Sequence, residues 1–165
     1  VIYDDGLYYM FYSAQWGSVD YTFYISVAVS DSPVGPFREL TTGAKSASEP
    51  LLVFENHQSE IPSEYVSALT GYLDTAGYIK VIDASPFIDP VTGTKYLYFA
   101  ADIGTVYTDA SFIFGMEMAD WGTPKYETLT KLTSYGYTTV DGTEKIEEGG
   151  STNEGPFMYY HDGSY

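Results

Sequence analysis

The chain contains no cysteine, which excludes a disulfide framework and a thiolate-built metal site. Basic residues are scarce too: Lys and Arg number 7 against 23 Asp and Glu, a formal net charge of −16. A DNA duplex presents one negative charge per ~1.7 Å of axis, and this chain has nothing to neutralise it with. Nucleic acid is therefore excluded as a partner, and anionic membranes and polyanionic substrates are disfavoured by the same argument. No apolar run approaches the ~18 residues that a membrane helix needs, and no positively charged, apolar leader opens the chain. The expectation is a soluble protein of one-domain length, with a secretory signal still allowed upstream of Val1. Only two His occur, at unrelated spacing, which argues against a metal site built by this chain.

Aromatic residues are what the chain has in abundance. They make up 18% of it, with 18 Tyr, and 44% of the residues are hydrophobic. That content builds a core, so the acidity does not signal disorder. A tyrosine-rich, acidic protein leans toward a neutral, hydroxyl-rich ligand that rings can stack on.

Apolar residues recur with a period of two nearly everywhere. Tyr3, the turn at Asp5-Gly6 and the run Tyr8 to Tyr12 predict a hairpin, and Thr22 to Ser30 predicts a strand stopped by Asp31-Ser32-Pro33. Pro86 to Asp89 and Lys95 to Ala101 bracket a turn at Thr92-Gly93. Ser111 to Met118 predicts a strand ended by Asp120-Trp121-Gly122. Pro156 to Tyr160 and the turn His161-Asp162-Gly163 predict the start of a further hairpin. Helical spacing is sustained nowhere, and residues 60–70 allow one short turn. The predicted class is all-β.

The segments also repeat. VIYDDGLYYMFYSA, PFIDPVTGTKYLYFAA and PFMYYHDGSY share one pattern: an apolar strand, an acidic turn with Gly, then an aromatic strand. ISVAVSDSPVGPF and IFGMEMADWGTPKY repeat in phase with the first two. Units of three or four short antiparallel strands are propeller blades. The predicted division is one blade over residues 1–45, an insertion over 46–80, the next blade over 81–133, and a connection with the start of a further blade over 134–165. Thr41 to Ile79 reads as polar and irregular. Two blades and an opening hairpin leave exposed sheet edges, so the expectation is part of a propeller whose remaining blades lie in the same or another chain.

In a propeller, rotation about the axis brings residues at the starts of the inner strands to one mouth. Asp83 stands in VIDASPF, ahead of the second unit's inner strand, and Glu154 stands in NEGPF, ahead of the third's. Two carboxylates facing one funnel suit glycoside hydrolysis, in which one carboxyl protonates the leaving oxygen while another activates water. The structural alternative has comparable weight. Asp before a strand is a common turn residue, and most of 23 acidic side chains are solvated.

The order VSDSPVGPF, VIDASPFID, NEGPFMYYHDG resembles family 43 of the glycoside hydrolases: arabinanases, α-L-arabinofuranosidases and β-xylosidases on a five-bladed β-propeller. The resemblance spans roughly residues 1–40 and 81–165. It implies that Glu154 is the general acid and that Asp83 is the carboxylate that raises the acid's pKa and orients it. It implies inversion, with an Asp base on the first blade, which then lies upstream of Val1. Asp4, Asp5 and Asp20 do not match the base motif and read as structural. The resemblance requires no cofactor. It allows a structural cation on the propeller axis, with ligands outside this chain, and the segment alone is not expected to turn over substrate.

Among the aromatics, Trp16 on the Gln15-Trp16-Gly17 loop is a candidate for stacking on a sugar ring, against a slightly favoured role covering a core edge. Trp121 reads as packing between strands, Phe87 as pointing into its blade, and Tyr107 as one tyrosine among many. His57 lies in the insertion and His161 in an exposed turn. The implied activity is hydrolysis of arabinose- or xylose-containing plant polysaccharides or oligosaccharides. That substrate class implies an extracellular, periplasmic or cell-surface location. Two other readings remain open: a non-catalytic carbohydrate-binding propeller, and a scaffold in which the acidic insertion contacts protein.

Overall fold

β-branched and aromatic residues in alternating runs, closed by Asp, Gly and Pro, give a structure dominated by strands. The computed structural model describes residues 1–15, 22–41, 49–70, 80–102, 111–133, 137–140, 143–146 and 153–165. In the first sheet β1 (Ile2–Asp4), β2 (Leu7–Gln15), β3 (Phe23–Ser30) and β4 (Arg38–Glu39) lie side by side in chain order, each antiparallel to the next. Asp4 pairs with Leu7 across a two-residue turn whose residues, Asp5 and Gly6, have φ of 48° and 82°. Such a turn demands two left-handed residues, and Asp-Gly supplies them at little strain.

The second sheet places β5 (Val81–Ile88), β6 (Lys95–Asp102) and β7 (Ser111–Asp120) in the same meander. β7 then takes two short strands, β8 (Thr123–Pro124) and β9 (Thr130–Lys131). A separate hairpin pairs β10 (Tyr137–Val140) with β11 (Thr143–Ile146), inside what the sequence pattern presents as a plain connection. The class is all-β, and the two meanders have the make-up of successive propeller blades.

One core joins the sheets. β3 contributes Ile25 and Val27, β6 contributes Leu97, Phe99 and Ala101, and β7 contributes Phe112, Phe114, Met116 and Met118. Alternation leaves Tyr96 and Tyr98 half-buried on the opposite face of β6. Phe99 and Phe114 stack with centroids 5.9 Å apart. Trp121, 2% exposed, meets Phe11 edge-on at 5.6 Å and donates its indole N–H to Asp4 Oδ2 at 2.8 Å. Lys95 Nζ lies 2.9 Å from the same oxygen, so Asp4 links the two sheets.

Three segments depart from the sequence expectation. Residues 49–61 are not a polar excursion: Leu51, Leu52, Val53, Phe54 and Ile61 are buried, and the Leu51 N–H donates to the Ile25 carbonyl at 2.7 Å. Glu49, Glu55 and Glu60 around this apolar run disguise it as surface. Helix α1 (Ser63–Thr70) is longer than one turn, because Tyr65, Val66 and Leu69 fall on one side and pack against the core. Pro156 to Tyr160 form no ladder, since no strand lies beside them among the described residues. Their turn does form, with φ of 48° at Asp162 and 82° at Gly163 and mutual hydrogen bonds between His161 and Ser164 at 2.9 and 3.0 Å.

Candidate active site

The start of β5 is held by the first sheet. Lys80, just ahead of the strand, bridges to Phe23 in parallel, and the Asp83 N–H donates to Ser13 Oγ of β2 at 3.3 Å. VIDASPF lies inside β5 rather than ahead of it, because the strand begins at Val81. Ile82 pairs with Ala100 and Ser85 with Tyr98, so β5 carries one extra residue between these pairs. Asp83 sits in this bulge with φ of +58°, a conformation that Asp tolerates better than most side chains. The bulge turns its carboxylate out of the normal alternation. Pro86 is accommodated because β5 is an edge strand of its sheet.

The Asp83 carboxylate accepts the N–H of Gly155 through Oδ2 at 3.1 Å. That peptide is the one immediately after Glu154, and Gly155 has φ of +65°, which bends the chain there. On the other side the Asn153 N–H donates to the Ser111 carbonyl at 3.2 Å. Residues 153–155 are thus strung between the starts of β5 and β7. Glu154 Oε1 receives Lys80 Nζ at 2.9 Å and Ser111 Oγ at 3.3 Å. The side chains of Lys80 and Glu154 remain 33% and 31% exposed, so the pair is only partly buried.

The structure therefore joins Asp83 to the peptide after Glu154, although 70 residues lie between the two in sequence. It adds three groups that the sequence reading missed: Lys80, Ser111 and Ser13. Lys80 had a visible signal, as a rare cation directly preceding VIDASPF. The two serines had none, because only the fold brings β2 and β7 to that end of β5. Among the described residues, both contacts to the Glu154 carboxylate fall on Oε1.

Trp16 lies outside the described residues, as do Tyr107 and Asp20. Phe87 is half-buried between Tyr98 and Tyr165. His57 stacks on Tyr126 at 4.0 Å and has Nδ1 2.9 Å from Glu60 Oε1, and His161 is exposed. Among the described residues, no group of three His, Cys, Asp or Glu side chains is placed to hold a metal. At the far end of β5, the Asp89 carboxyl is held below its ordinary pKa. The Thr92 hydroxyl is the main cause, with the Val91 N–H and the Tyr165 hydroxyl adding to it.

A profile of Glycosyl hydrolases family 43 matches residues 1–165. No curated protein matches the chain. Among solved structures, the chain is similar to an endo-1,4-beta-xylanase from Bacteroides thetaiotaomicron, with 27% identity and a TM-score of 0.47 over 84% of this chain and 33% of that one. It is also similar to an endo-arabinase from the same organism, with 22% identity and a TM-score of 0.44 over 86% of this chain and 40% of that one. The chain thus spans about a third and two fifths of the lengths of these two proteins.

Proposed function

The chain belongs to family 43 of the glycosyl hydrolases, and we propose that it carries the general acid, Glu154, and its orienting carboxylate, Asp83, of a glycosidase. The substrate class proposed is arabinose- or xylose-containing plant polysaccharide or its oligosaccharides. A neutral polymer suits a protein of net charge −16. The observation that carries the reading is the hydrogen bond from the Gly155 N–H to the Asp83 carboxylate, which fixes the backbone adjoining Glu154.

In this reading Glu154 gives its proton to the glycosidic oxygen as the C–O bond breaks, and the leaving sugar departs as a neutral alcohol. Water adds to the anomeric carbon from the opposite face. A base outside this chain takes its proton, and the configuration inverts. Asp83 acts by holding the Gly155 peptide, which orients the backbone that carries the acid. Trp16 is proposed to stack on a sugar ring. No cofactor enters the chemistry. The remaining blades complete the site, and a polymer substrate implies work outside the cell.

Replacing Glu154 by Gln tests the assignment. General acid catalysis is worth roughly 10²- to 10⁴-fold. The variant is expected to lose most of that on oligosaccharides, whose leaving groups are poor, and far less on nitrophenyl glycosides, which leave without help. Equal losses on both would remove the acid role. Sugar binding with no hydrolysis by the unaltered protein would favour the binding-module alternative.

A further inference from the structure

We propose that Lys80 is a positioning residue for proton transfer by Glu154, an inference that rests on the acid role proposed above. Lys80 Nζ lies 2.9 Å from Glu154 Oε1, and Ser111 Oγ lies 3.3 Å from the same oxygen. Two donors on one carboxyl oxygen restrict the orientation of the group. The Lys80 backbone is itself fixed, through its bridge to Phe23 at the head of β3. The backbone from which the ammonium extends is therefore held by the first sheet.

Among the described residues, three groups lie on or next to Glu154. Lys80 comes from the approach to β5. Asp83 comes from β5 itself and reaches the acid through the Gly155 peptide. The neutral hydroxyl of Ser111 comes from β7. Lys80 thus touches the acid itself, whereas Asp83 touches the peptide next to it. As the proton leaves the acid for the glycosidic oxygen, negative charge develops on the carboxylate, and Lys80 and Ser111 are already in place to meet it. Donors set in advance of charge development cost no reorganisation during the step. An ordinary solvent-exposed ion pair contributes little to stability, so Lys80 is expected to matter for rate more than for folding.

The test is a double-mutant cycle in the complete propeller with Lys80→Met, Lys80→Arg, Glu154→Gln and the Lys80→Met/Glu154→Gln pair. Rates are measured on oligosaccharides and on nitrophenyl pentosides across pH. Lys80→Met is expected to lower kcat/KM on oligosaccharides about two- to fivefold, with little change on nitrophenyl pentosides. Lys80→Arg should restore most of the rate, and Lys80→Met should cost nothing further in the Glu154→Gln background. An equal loss in both backgrounds, or no rescue by Lys80→Arg, overturns the role of Lys80. If Glu154→Gln itself shows no dependence on the leaving group, the acid assignment has failed and the inference falls with it. A leaving-group effect at Glu154 with additive losses at Lys80 removes the inference alone.

Discussion

Replacing Asp83 separates its two tasks, because the residue is held by its backbone conformation as well as by its carboxylate. At φ of +58° an Ala carries a left-handed penalty of roughly 1 kcal/mol, whereas Asn is at home there. Asp83→Ala also removes the acceptor for the Gly155 N–H. A hydrogen bond to a charged group is worth about 1.5–3 kcal/mol, and the exposure of this one reduces it to about 1 kcal/mol. The Ala variant should therefore lose about 2 kcal/mol of stability. Asp83→Asn keeps an oxygen for the N–H and keeps the backbone unstrained, so it should stay within about 0.5 kcal/mol of the parent. Only the charge is gone. If that charge serves the acid, Asp83→Asn should still lose at least about tenfold in kcat/KM on oligosaccharides. The assay pairs urea unfolding with hydrolysis rates. An Asn variant as unstable as the Ala variant, or one that keeps full activity, would refute the reasoning.

Other parts of the account make separate predictions. Trp121→Ala empties a fully buried site between the sheets and leaves Asp4 with Lys95 alone, so urea unfolding should show a loss of about 3–5 kcal/mol, with Trp121→Phe in between. Leu52→Ala should cost about 2–5 kcal/mol if residues 49–61 are core, and almost nothing if they are a surface loop. Asp89 is held below its ordinary pKa when folded, so it stabilises the fold above the unfolded value of ~3.9 and loses that contribution as pH falls below it. Comparing unfolding at pH 7 and pH 3 should show a smaller acid loss for Asp89→Asn than for the parent.

Much of the fold is legible in the residues. The strands at 23–30, 95–102 and 111–120 follow from alternation, and the turns at Asp5-Gly6 and Asp162-Gly163 from their demand for left-handed residues. Alternation fails where burial comes from tertiary packing. Leu51 to Phe54 have no strand partner pattern and sit among glutamates, so only the completed core reveals their role. The site was legible as two motifs, VIDASPF and NEGPF. The bulge that turns Asp83 outward was not, since a one-residue register shift leaves no mark in composition. Ser13 and Ser111 were hidden for another reason: their value is their proximity to Asp83 and Glu154, which only the meeting of β2, β5 and β7 provides.

The most direct measurement is a crystal structure of the Glu154→Gln protein, with all its blades, bound to an arabino- or xylo-oligosaccharide. A glycosidic oxygen is expected within about 2.6–3.2 Å of the residue 154 carboxamide, with Asp83 still bonded to the Gly155 N–H. A sugar chain seated away from both residues would contradict the account.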